Sequence, residues 1–586
     1  MQEETEQKNE AWSVSRKRTA VELLAVTVSA LLASSAFPPF DFSFAVWFAL
    51  VPLYMVLITK KPLKAMFIGY YWGYIWSTIV FNWLREIEPF IPYAISFIIA
   101  LFPASWAFFV PLFKKSILIP IKVQLEGADS LRKYKTTYSR EILFIVALSA
   151  AWCFVEWIRS WFISGFPWNF IGASQWQNIP VIQICEYTGV YGVSFIIIFF
   201  NIALAFTLTA LNNALHGKKY KRPIPFIAAI GLLMAAVLFG AKPMMKYHLP
   251  LQQKSNKKNS SHIRFTPAVI QGDIPQCRFP KGGEAENALT QYIKLSKLAI
   301  LNRPDIVIWS ETAVPVPYRT GYPFGDLYRF ELFKLLKSGI PFMIGSIDYN
   351  IENLKPGTAP SDIKCYNAVL LLHIKAKNNF FLKEKYYKIH LVPYGEYTPL
   401  GKYIPVIKKM FGMGRDLTPG KRYTIFNLKD GVRAGANICY EDIFPEISAN
   451  FARRGANVII VLTNDAWYPT SSESEQHLAN SIFRAIETRL PMIRAGNNGC
   501  SCLILPNGVI ADSVSVKKDG TPAPFKQSRG FACFQIDLEK SPQLTFHTQH
   551  PFLFVWLCSL IFTLSVLQTL YIYSAKRKAV SETRKK

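Results

Sequence analysis

The sequence predicts a bundle of membrane-spanning α-helices, an extracytoplasmic domain of mixed α/β structure, and one last membrane helix. Three observations support this: apolar segments concentrate in two regions of the 586-residue chain, basic residues alternate between the loops, and short apolar runs recur elsewhere. A helix that crosses a bilayer needs about 20 largely apolar residues. Eight segments fit this requirement: 21–38, 44–60, 65–83, 92–112, 142–163, 190–212, 224–241 and 551–573.

The first apolar segment also has two features of a secretory signal peptide. Arg16, Lys17 and Arg18 precede it, and small residues occupy positions 34–36. Its apolar part is long for a signal peptide, however, and the run "AFPPF" that follows offers no obvious mature start. We therefore predict a retained membrane helix.

The net charge of +27 would suit a nucleic-acid-binding protein, but the position of the charges favours a membrane topology. Basic residues are concentrated in both tails and in every second loop between the helices. The short loops on the other side contain a single basic residue, Arg85. Since cytoplasmic loops are rich in Lys and Arg, both tails are predicted to be cytoplasmic and the large domain periplasmic. The predicted divisions are a tail (1–20), seven helices (21–241), a linker (242–261), a periplasmic domain (262–547), an eighth helix (551–573) and a basic tail (574–586).

The large domain alternates apolar runs with amphipathic stretches. Continuous apolar runs are typical of buried strands, so the pattern predicts an α/β or α+β domain with a substantial core. Strands are predicted within 265–273, 305–311, 341–348, 366–372, 433–441, 457–465 and 494–508, and helices within 284–302, 326–338, 444–454 and 473–489.

Reactive polar residues follow three of these runs: Glu311, Cys439 and Asp465. Taken singly, Glu311 is a capping carboxylate, Lys388 a surface lysine and Cys439 a small buried thiol. Together they supply a base, a cation and a nucleophile. A carboxylate in an apolar site can accept the thiol proton, and an ammonium can stabilise the oxyanion that forms when the thiolate attacks a carbonyl.

The nine cysteines are odd in number and irregularly spaced, so they indicate no disulfide framework. The sequence has no HExxH or Walker motif and no paired His/Cys spacing. We therefore expect no metal and no other cofactor.

The order Glu311, Lys388, Cys439 resembles the Glu–Lys–Cys triad of the nitrilase, or carbon–nitrogen hydrolase, superfamily. The surrounding motifs resemble its membrane branch, the apolipoprotein N-acyltransferases. They are "QGDIPQ" (271–276), "WSETAVP" (309–315), "KIHLVPYGEYTPL" (388–400), "ICYE" (438–441), "TNDAWY" (463–468), "NNG" (497–499) and, among the helices, "ALVPLY" (49–54), "EWIRSWFISGFPWN" (156–169) and "GVYGVSF" (189–195). The resemblance implies a nitrilase-like α-β-β-α sandwich for residues 262–547.

The resemblance also implies residue roles. Glu311 would be the general base, Lys388 the oxyanion stabiliser and Cys439 the acylated nucleophile. Supporting residues would be Glu396, Tyr440, Glu441 and Asn367.

Lipid contacts are implied at two further positions, Trp467 and Phe279. Phe279 is the only aromatic residue near the place where the family commonly carries a tryptophan. From composition, we also interpret 400–420 as a lipid-facing arm, with Met410 and Phe411 among its apolar residues; a buried surface helix is the alternative.

The expected function is transfer of a fatty acyl chain from a membrane phospholipid to the α-amine of a diacylglyceryl-apolipoprotein, through a cysteine thioester. The partners would be these two lipids and the bilayer, with no nucleic acid. One alternative is a membrane-tethered, nitrilase-like amidase that hydrolyses its acyl-enzyme, because the triad alone does not choose the acceptor. Another is a transporter or a non-catalytic scaffold, which would be indifferent to loss of Cys439.

Overall fold

The computed structural model describes residues 2–125, 130, 135–248, 261–276, 283–318, 323–349, 363–375, 379–399, 401, 416–515 and 528–585. The chain divides into two compact units. One is helical and comprises Met1–Gly240 and Phe552–Lys586; the other comprises Ala241–Pro551.

The helical unit accounts for most of the apolar sequence. Within the described residues, six helical segments are long and apolar enough to cross a membrane: Arg16–Ser35, Ile91–Leu118, Tyr138–Trp161, Val190–Leu215, Ile224–Tyr247 and Leu553–Ala579. The α-helices span Gln2–Ser35, Val46–Ala49, Val51–Leu57, Pro62–Val80, Ile91–Ile99, Leu101–Phe113, Ile121–Leu125, Tyr138–Trp161, Ile179–Ile182, Cys185–Thr188, Val190–Leu215, Ile224–His248 and Leu553–Lys585.

Two of the eight predicted spans differ from these six. The segment predicted at 44–60 is divided at Leu50, and its apolar helical part, Ser43–Leu57, is short. The segment predicted at 65–83 forms the 19-residue helix Pro62–Val80, in which glycine, tyrosine and tryptophan lower the hydropathy. Both segments are helical, but length or composition separates them from the other six.

The helix Pro62–Val80 packs unusually closely against the helix Leu101–Phe113. A Cβ added at Gly69 would lie 2.3 Å from the Cβ of Ala107, and one at Gly73 would lie 2.3 Å from a ring carbon of Pro103. Small residues permit such close approach between membrane helices. The glycines that lower the hydropathy of this helix therefore serve its packing.

The second unit contains two sheets of six strands each within the described residues. We number the strands in chain order, and the hydrogen-bonded orders are β13-β2-β3-β4-β5-β6 and β12-β11-β10-β9-β8-β7; β1 and β14 form a separate pair. The bounds are His262–Phe265 (β1), Pro267–Gln271 (β2), Ile306–Ile308 (β3), Phe342–Tyr349 (β4), Cys365–Lys375 (β5), Asn379–Tyr387 (β6), Phe426–Lys429 (β7), Val432–Ile438 (β8), Val458–Thr463 (β9), Met492–Gly496 (β10), Cys502–Ile504 (β11), Ile510–Ser513 (β12), Gly530–Cys533 (β13) and Ile536–Glu539 (β14).

Helices cover the outer face of each sheet. The helices Glu284–Ile300 and Pro323–Leu336 share a core with the first sheet, in which Trp309 is fully buried. On the second sheet, Gly435 leaves room for Phe451 of the helix Pro445–Arg453. The remaining helices of this unit are Glu473–Thr488 and Phe546–Gln549. The layers are thus helix, sheet, sheet and helix, as the resemblance implied.

The predicted strands and helices of this unit are confirmed, with boundary shifts of a few residues. The predicted run 494–508 is two antiparallel strands, β10 and β11. Sequence analysis missed β1, β6, β7 and β12–β14. Five of these are four-residue strands, and β6 (NFFLKEKYY) is a longer strand in which lysine and glutamate interrupt the apolar pattern.

Candidate active site

Strand ends of both sheets bring the reactive residues together. Glu311 follows β3, Lys388 follows β6 directly, and Cys439 follows β8 directly. Glu311 and Lys388 thus come from the first sheet and Cys439 from the second. The predicted base, cation and thiol meet where the two sheets face each other.

Lys388 is the centre of the cluster. Its side chain is 1% exposed, and its Nζ lies 3.3 Å from Glu311 Oε1 and 3.0 Å from Glu396 Oε1. Asn367, on β5, donates from Nδ2 to the same two oxygens, each at 2.7 Å. Glu396 is held in turn by the backbone N–H of Val392, which donates to Oε2 at 2.8 Å. Asn367 and Glu396 therefore fix both Lys388 and Glu311.

A glycine permits the position of Glu311. A Cβ at Gly345, on β4, would lie 2.4 Å from the carbonyl oxygen of Ser310 and 2.5 Å from the Cα of Glu311. Any larger residue would displace the loop that carries Glu311.

Cys439 occupies a strained turn. Its φ is 48°, in the left-handed region that non-glycine residues rarely adopt. The short helical turn Cys439–Ile443 begins at this point, between β8 and the helix Pro445–Arg453. The thiol lies close enough to the Glu311 carboxylate and the Thr463 side chain for each of them to influence its pKa.

The charges of the cluster act on one another. Burial and the Glu311 carboxylate raise the pKa of the Cys439 thiol well above its usual value, and the Lys388 ammonium opposes them. Burial likewise raises the pKa of Glu311, against the effect of Lys388. Burial alone would lower the pKa of Lys388, but Glu311 and Glu396 hold it above its usual value. The cluster therefore holds a thiol that keeps its proton beside a lysine that keeps its charge.

Glu441 connects the two sheets. Its Oε1 accepts hydrogen bonds from the hydroxyl of Tyr386 at 2.8 Å and from the backbone N–H groups of Ile389 and His390 at 2.6 and 3.2 Å. Its Oε2 accepts from the backbone N–H of Ile438 at 2.8 Å. One buried carboxylate thus ties the segment after Lys388 to the strand before Cys439.

Aromatic rings surround this connection. The rings of His390 and Phe444 have centroids 3.7 Å apart, and Tyr440 lies 5.3 Å from Phe444. Tyr440 is 6% exposed, whereas Trp467, in the turn after β9, is 42% exposed. Trp467 is therefore available to a ligand, and Tyr440 is part of the packed wall beside the thiol.

Three predicted lipid contacts, Phe279, Met410 and Phe411, lie outside the described residues.

Sequence analysis missed a buried cluster beside the thiol. A sulfur of Cys439, a carboxylate oxygen of Asp465 and a ring nitrogen of His477 lie within 4.8 Å of one another, a donor set that could hold a metal ion. However, the two ring nitrogens face Asp442 Oδ1 at 2.7 Å and Asp465 Oδ1 at 3.1 Å. Burial opposes the charge, but the two aspartates raise the pKa of His477 to about 10. A protonated imidazole has no lone pair for a metal, so this donor set fits an ion-pair network better than a metal centre.

Comparisons with known proteins identify the family of the chain. Residues 29–203 match the family model of the apolipoprotein N-acyltransferase N-terminal domain, and residues 268–522 match that of the carbon-nitrogen hydrolases. An apolipoprotein N-acyltransferase of Rickettsia typhi is 32% identical over 444 residues, covering 73% of this chain and 80% of that protein. The chain belongs to the apolipoprotein N-acyltransferase family. The resemblance stated from the sequence is thereby confirmed.

Other relatives carry the same family name. An apolipoprotein N-acyltransferase of Geobacter metallireducens is 28% identical over 511 residues, covering 83% of this chain and 86% of that protein. Among solved structures, an amidase from Nesterenkonia sp. has 17% identity and a TM-score of 0.33, covering 50% of this chain and 94% of that chain. The long apolar helices and the N-acyltransferase family together indicate a bacterial membrane protein with a carbon–nitrogen hydrolase domain.

Glu441 generates a prediction about pH. Burial raises its pKa from 4.5 to about 7, against the hydrogen bonds that favour its carboxylate. The folded chain binds this proton more tightly than the unfolded chain, so protonation of Glu441 stabilises the fold. This contribution to the free energy of unfolding is complete below about pH 4.5 and is lost as the pH rises through about 7. We expect Glu441→Gln to lose this pH dependence, on the order of 3 kcal/mol in the free energy of unfolding across that window.

The measurement is the free energy of unfolding of the detergent-solubilised protein at several pH values. Glu331→Gln, which alters a carboxylate paired with Lys334 on the helix Pro323–Leu336, is the control. Replacing Glu441 also adds an offset that does not change with pH, so only the slope is diagnostic. Equal slopes for wild type and Glu441→Gln would contradict the assignment.

Proposed function

We propose that the protein transfers a fatty acyl chain from a membrane phospholipid to the α-amine of the N-terminal diacylglyceryl-cysteine of an apolipoprotein. The observation that carries this proposal is the meeting of Glu311, Lys388 and Cys439 in a buried cluster. The chain's relatives are named apolipoprotein N-acyltransferases, which supports the choice of substrates.

The first half-reaction forms a thioester. Glu311 accepts the thiol proton as the sulfur of Cys439 attacks the ester carbonyl of the phospholipid. The negative charge that develops on the carbonyl oxygen is stabilised by the Lys388 ammonium. Glu311 then donates this proton to the departing alkoxide, and a lysophospholipid leaves.

The second half-reaction uses the same groups in reverse. The free α-amine of the lipidated cysteine attacks the thioester carbonyl, and Glu311 removes a proton from the attacking nitrogen. The carbon–sulfur bond breaks, an amide forms, and Cys439 regains its proton. Lys388 again stabilises the oxyanion, so one site serves both steps.

The remaining predicted residues have supporting roles in this scheme. Glu396 and Asn367 hold Lys388 and Glu311 in position. Glu441 connects the segment after Lys388 to β8, the strand before Cys439. Tyr440 forms the wall beside the thiol, and Trp467 lines the lipid path.

The proposed topology has eight membrane-spanning helices, with both termini in the cytoplasm and the catalytic domain (262–547) in the periplasm. The alternation of basic loops supports this orientation.

Cys439 is expected to carry the acyl group. After incubation with phospholipid alone, intact-mass analysis of the wild-type protein should show one fatty-acyl adduct, and Cys439→Ala should show none. Cys533→Ala, which removes another partly exposed thiol of the same domain, is the matched control and should keep the adduct. If no adduct forms without an acceptor, the two-step scheme is wrong.

The fate of the acyl group separates transfer from hydrolysis. With a radiolabelled acyl chain and a diacylglyceryl lipopeptide, label should reach the amine of the peptide. Label released as free fatty acid would instead identify a hydrolase.

A lipid-facing role of 400–420 makes a further prediction. Replacing both Met410 and Phe411 with serine should raise the KM for phospholipid in vesicles by about tenfold or more, because two apolar side chains would no longer bury themselves in lipid. Leu298→Ser, which changes an exposed leucine elsewhere in the domain, is the control. An unchanged KM would favour the alternative of a buried surface helix.

The topology is tested with reporters. Green fluorescent protein fused after residue 586 should fluoresce, since it folds in the cytoplasm. Alkaline phosphatase inserted within the linker (242–261) should be active, since it folds in the periplasm. The opposite pattern would reverse the proposed orientation.

A further inference from the structure

His477 contacts the backbone of the candidate nucleophile, Cys439. It belongs to the helix Glu473–Thr488, and its side chain is fully buried. Its Nε2 faces two oxygens: Asp442 Oδ1 at 2.7 Å and the backbone carbonyl oxygen of Cys439 at 3.2 Å. A ring N–H shared by these acceptors connects the helix to the backbone of the nucleophile itself.

Charged groups on several elements hold the ring in place. Asp465, after β9, faces Nδ1 at 3.1 Å, and Glu473, on the same helix, lies 3.8 Å from it. Arg494, on β10, bonds to Asp442 Oδ2 at 2.8 Å and lies 3.5 Å from Asp465 Oδ2. Because a carboxylate lies at each nitrogen, the ring carries a proton on both and cannot turn without breaking an ion pair.

The backbone at Cys439 requires such support. A non-glycine residue at φ 48° persists only when the surrounding contacts offset its strain. If Cys439 relaxed toward ordinary φ values, its sulfur would move away from Glu311 and Lys388. The carbonyl oxygen of Cys439 connects this residue directly to the ring of His477.

We propose that His477 is a positioning residue: by donating a hydrogen bond to the carbonyl oxygen of Cys439, it holds the nucleophile in its left-handed conformation and keeps the sulfur beside Glu311. This inference rests on the proposed role of Cys439 as nucleophile. His477 touches neither substrate in this scheme and acts only through the cysteine backbone.

The test compares two substitutions that differ in hydrogen bonding. His477→Met removes the donor, whereas His477→Gln keeps an amide donor without the charge. His547→Gln, which changes another buried histidine of the same domain, next to Glu487, is the matched control. The probe is iodoacetamide, and the rate of Cys439 alkylation is followed by peptide mass analysis.

Displacement of a nucleophile from its reactive position lowers the reaction rate by about a hundredfold. We expect His477→Met to lower both the alkylation rate of Cys439 and the kcat of acyl transfer by about this factor, with little change in the KM for phospholipid. His477→Gln should lose less, and His547→Gln should match the wild type. The proposal would be overturned if His477→Met kept the alkylation rate and kcat of the wild type. It would also be overturned if His477→Met and His477→Gln lost equal factors in these two rates.

Folding is monitored in the same experiment. Cys500 and Cys502 are fully buried, so they stay unmodified in a folded variant. If His477→Met exposes them, the substitution is repeated together with Asp442→Asn, which removes the carboxylate charge that faces Nε2 in the wild type, and the same outcomes apply.

The two proposals fail separately. Alkylation needs neither phospholipid nor lipopeptide, so it reports on the nucleophile even if wild-type protein transfers no acyl group. Absence of acyl transfer in the wild type would refute the proposed function and leave the alkylation comparison intact.

Discussion

The burial of one ammonium governs the arrangement of the second unit. Lys388 is almost completely excluded from solvent, and an unpaired charge in such a place is very costly. Glu311 and Glu396 therefore have to lie within ion-pairing distance, and Asn367 has to bridge them. These residues come from different segments of the first sheet and its loops, so the sheet must assemble in this register for the lysine to be tolerated.

The same constraint reaches the second sheet through Glu441. This carboxylate lies two residues after Cys439, yet it accepts hydrogen bonds from the segment that follows Lys388. Any shift of the sheets would therefore leave a buried carboxylate without its donors, at a cost comparable to several ordinary hydrogen bonds. Stability of the sandwich and geometry of the site thus depend on the same contacts, although the base and the thiol belong to different sheets.

Much of this architecture is predictable from sequence because buried strands are continuous apolar runs, and Glu311, Cys439 and Asp465 each follow one. The short strands and β6 were missed because four residues, or a run interrupted by charges, carry little periodicity. His477 and Arg494 were missed for another reason. Each lies in a segment that reads as an ordinary helix or strand, and only the folded chain shows that they surround Asp442 and Asp465. Ion pairs between distant elements leave no local pattern.

The cluster also explains how a buried thiol can remain unreactive until needed. Burial and Glu311 keep the pKa of Cys439 high, so the resting sulfur is protonated. A thiol is a weak nucleophile, and in the proposed mechanism Glu311 takes its proton as negative charge moves from sulfur onto an oxygen beside Lys388. Proton removal is then coupled to attack on a carbonyl that is already in position. Under the proposed function, such a site would discriminate by the placement of the acyl group, because a lipid ester held against the lysine would complete the charge arrangement and solvent would not.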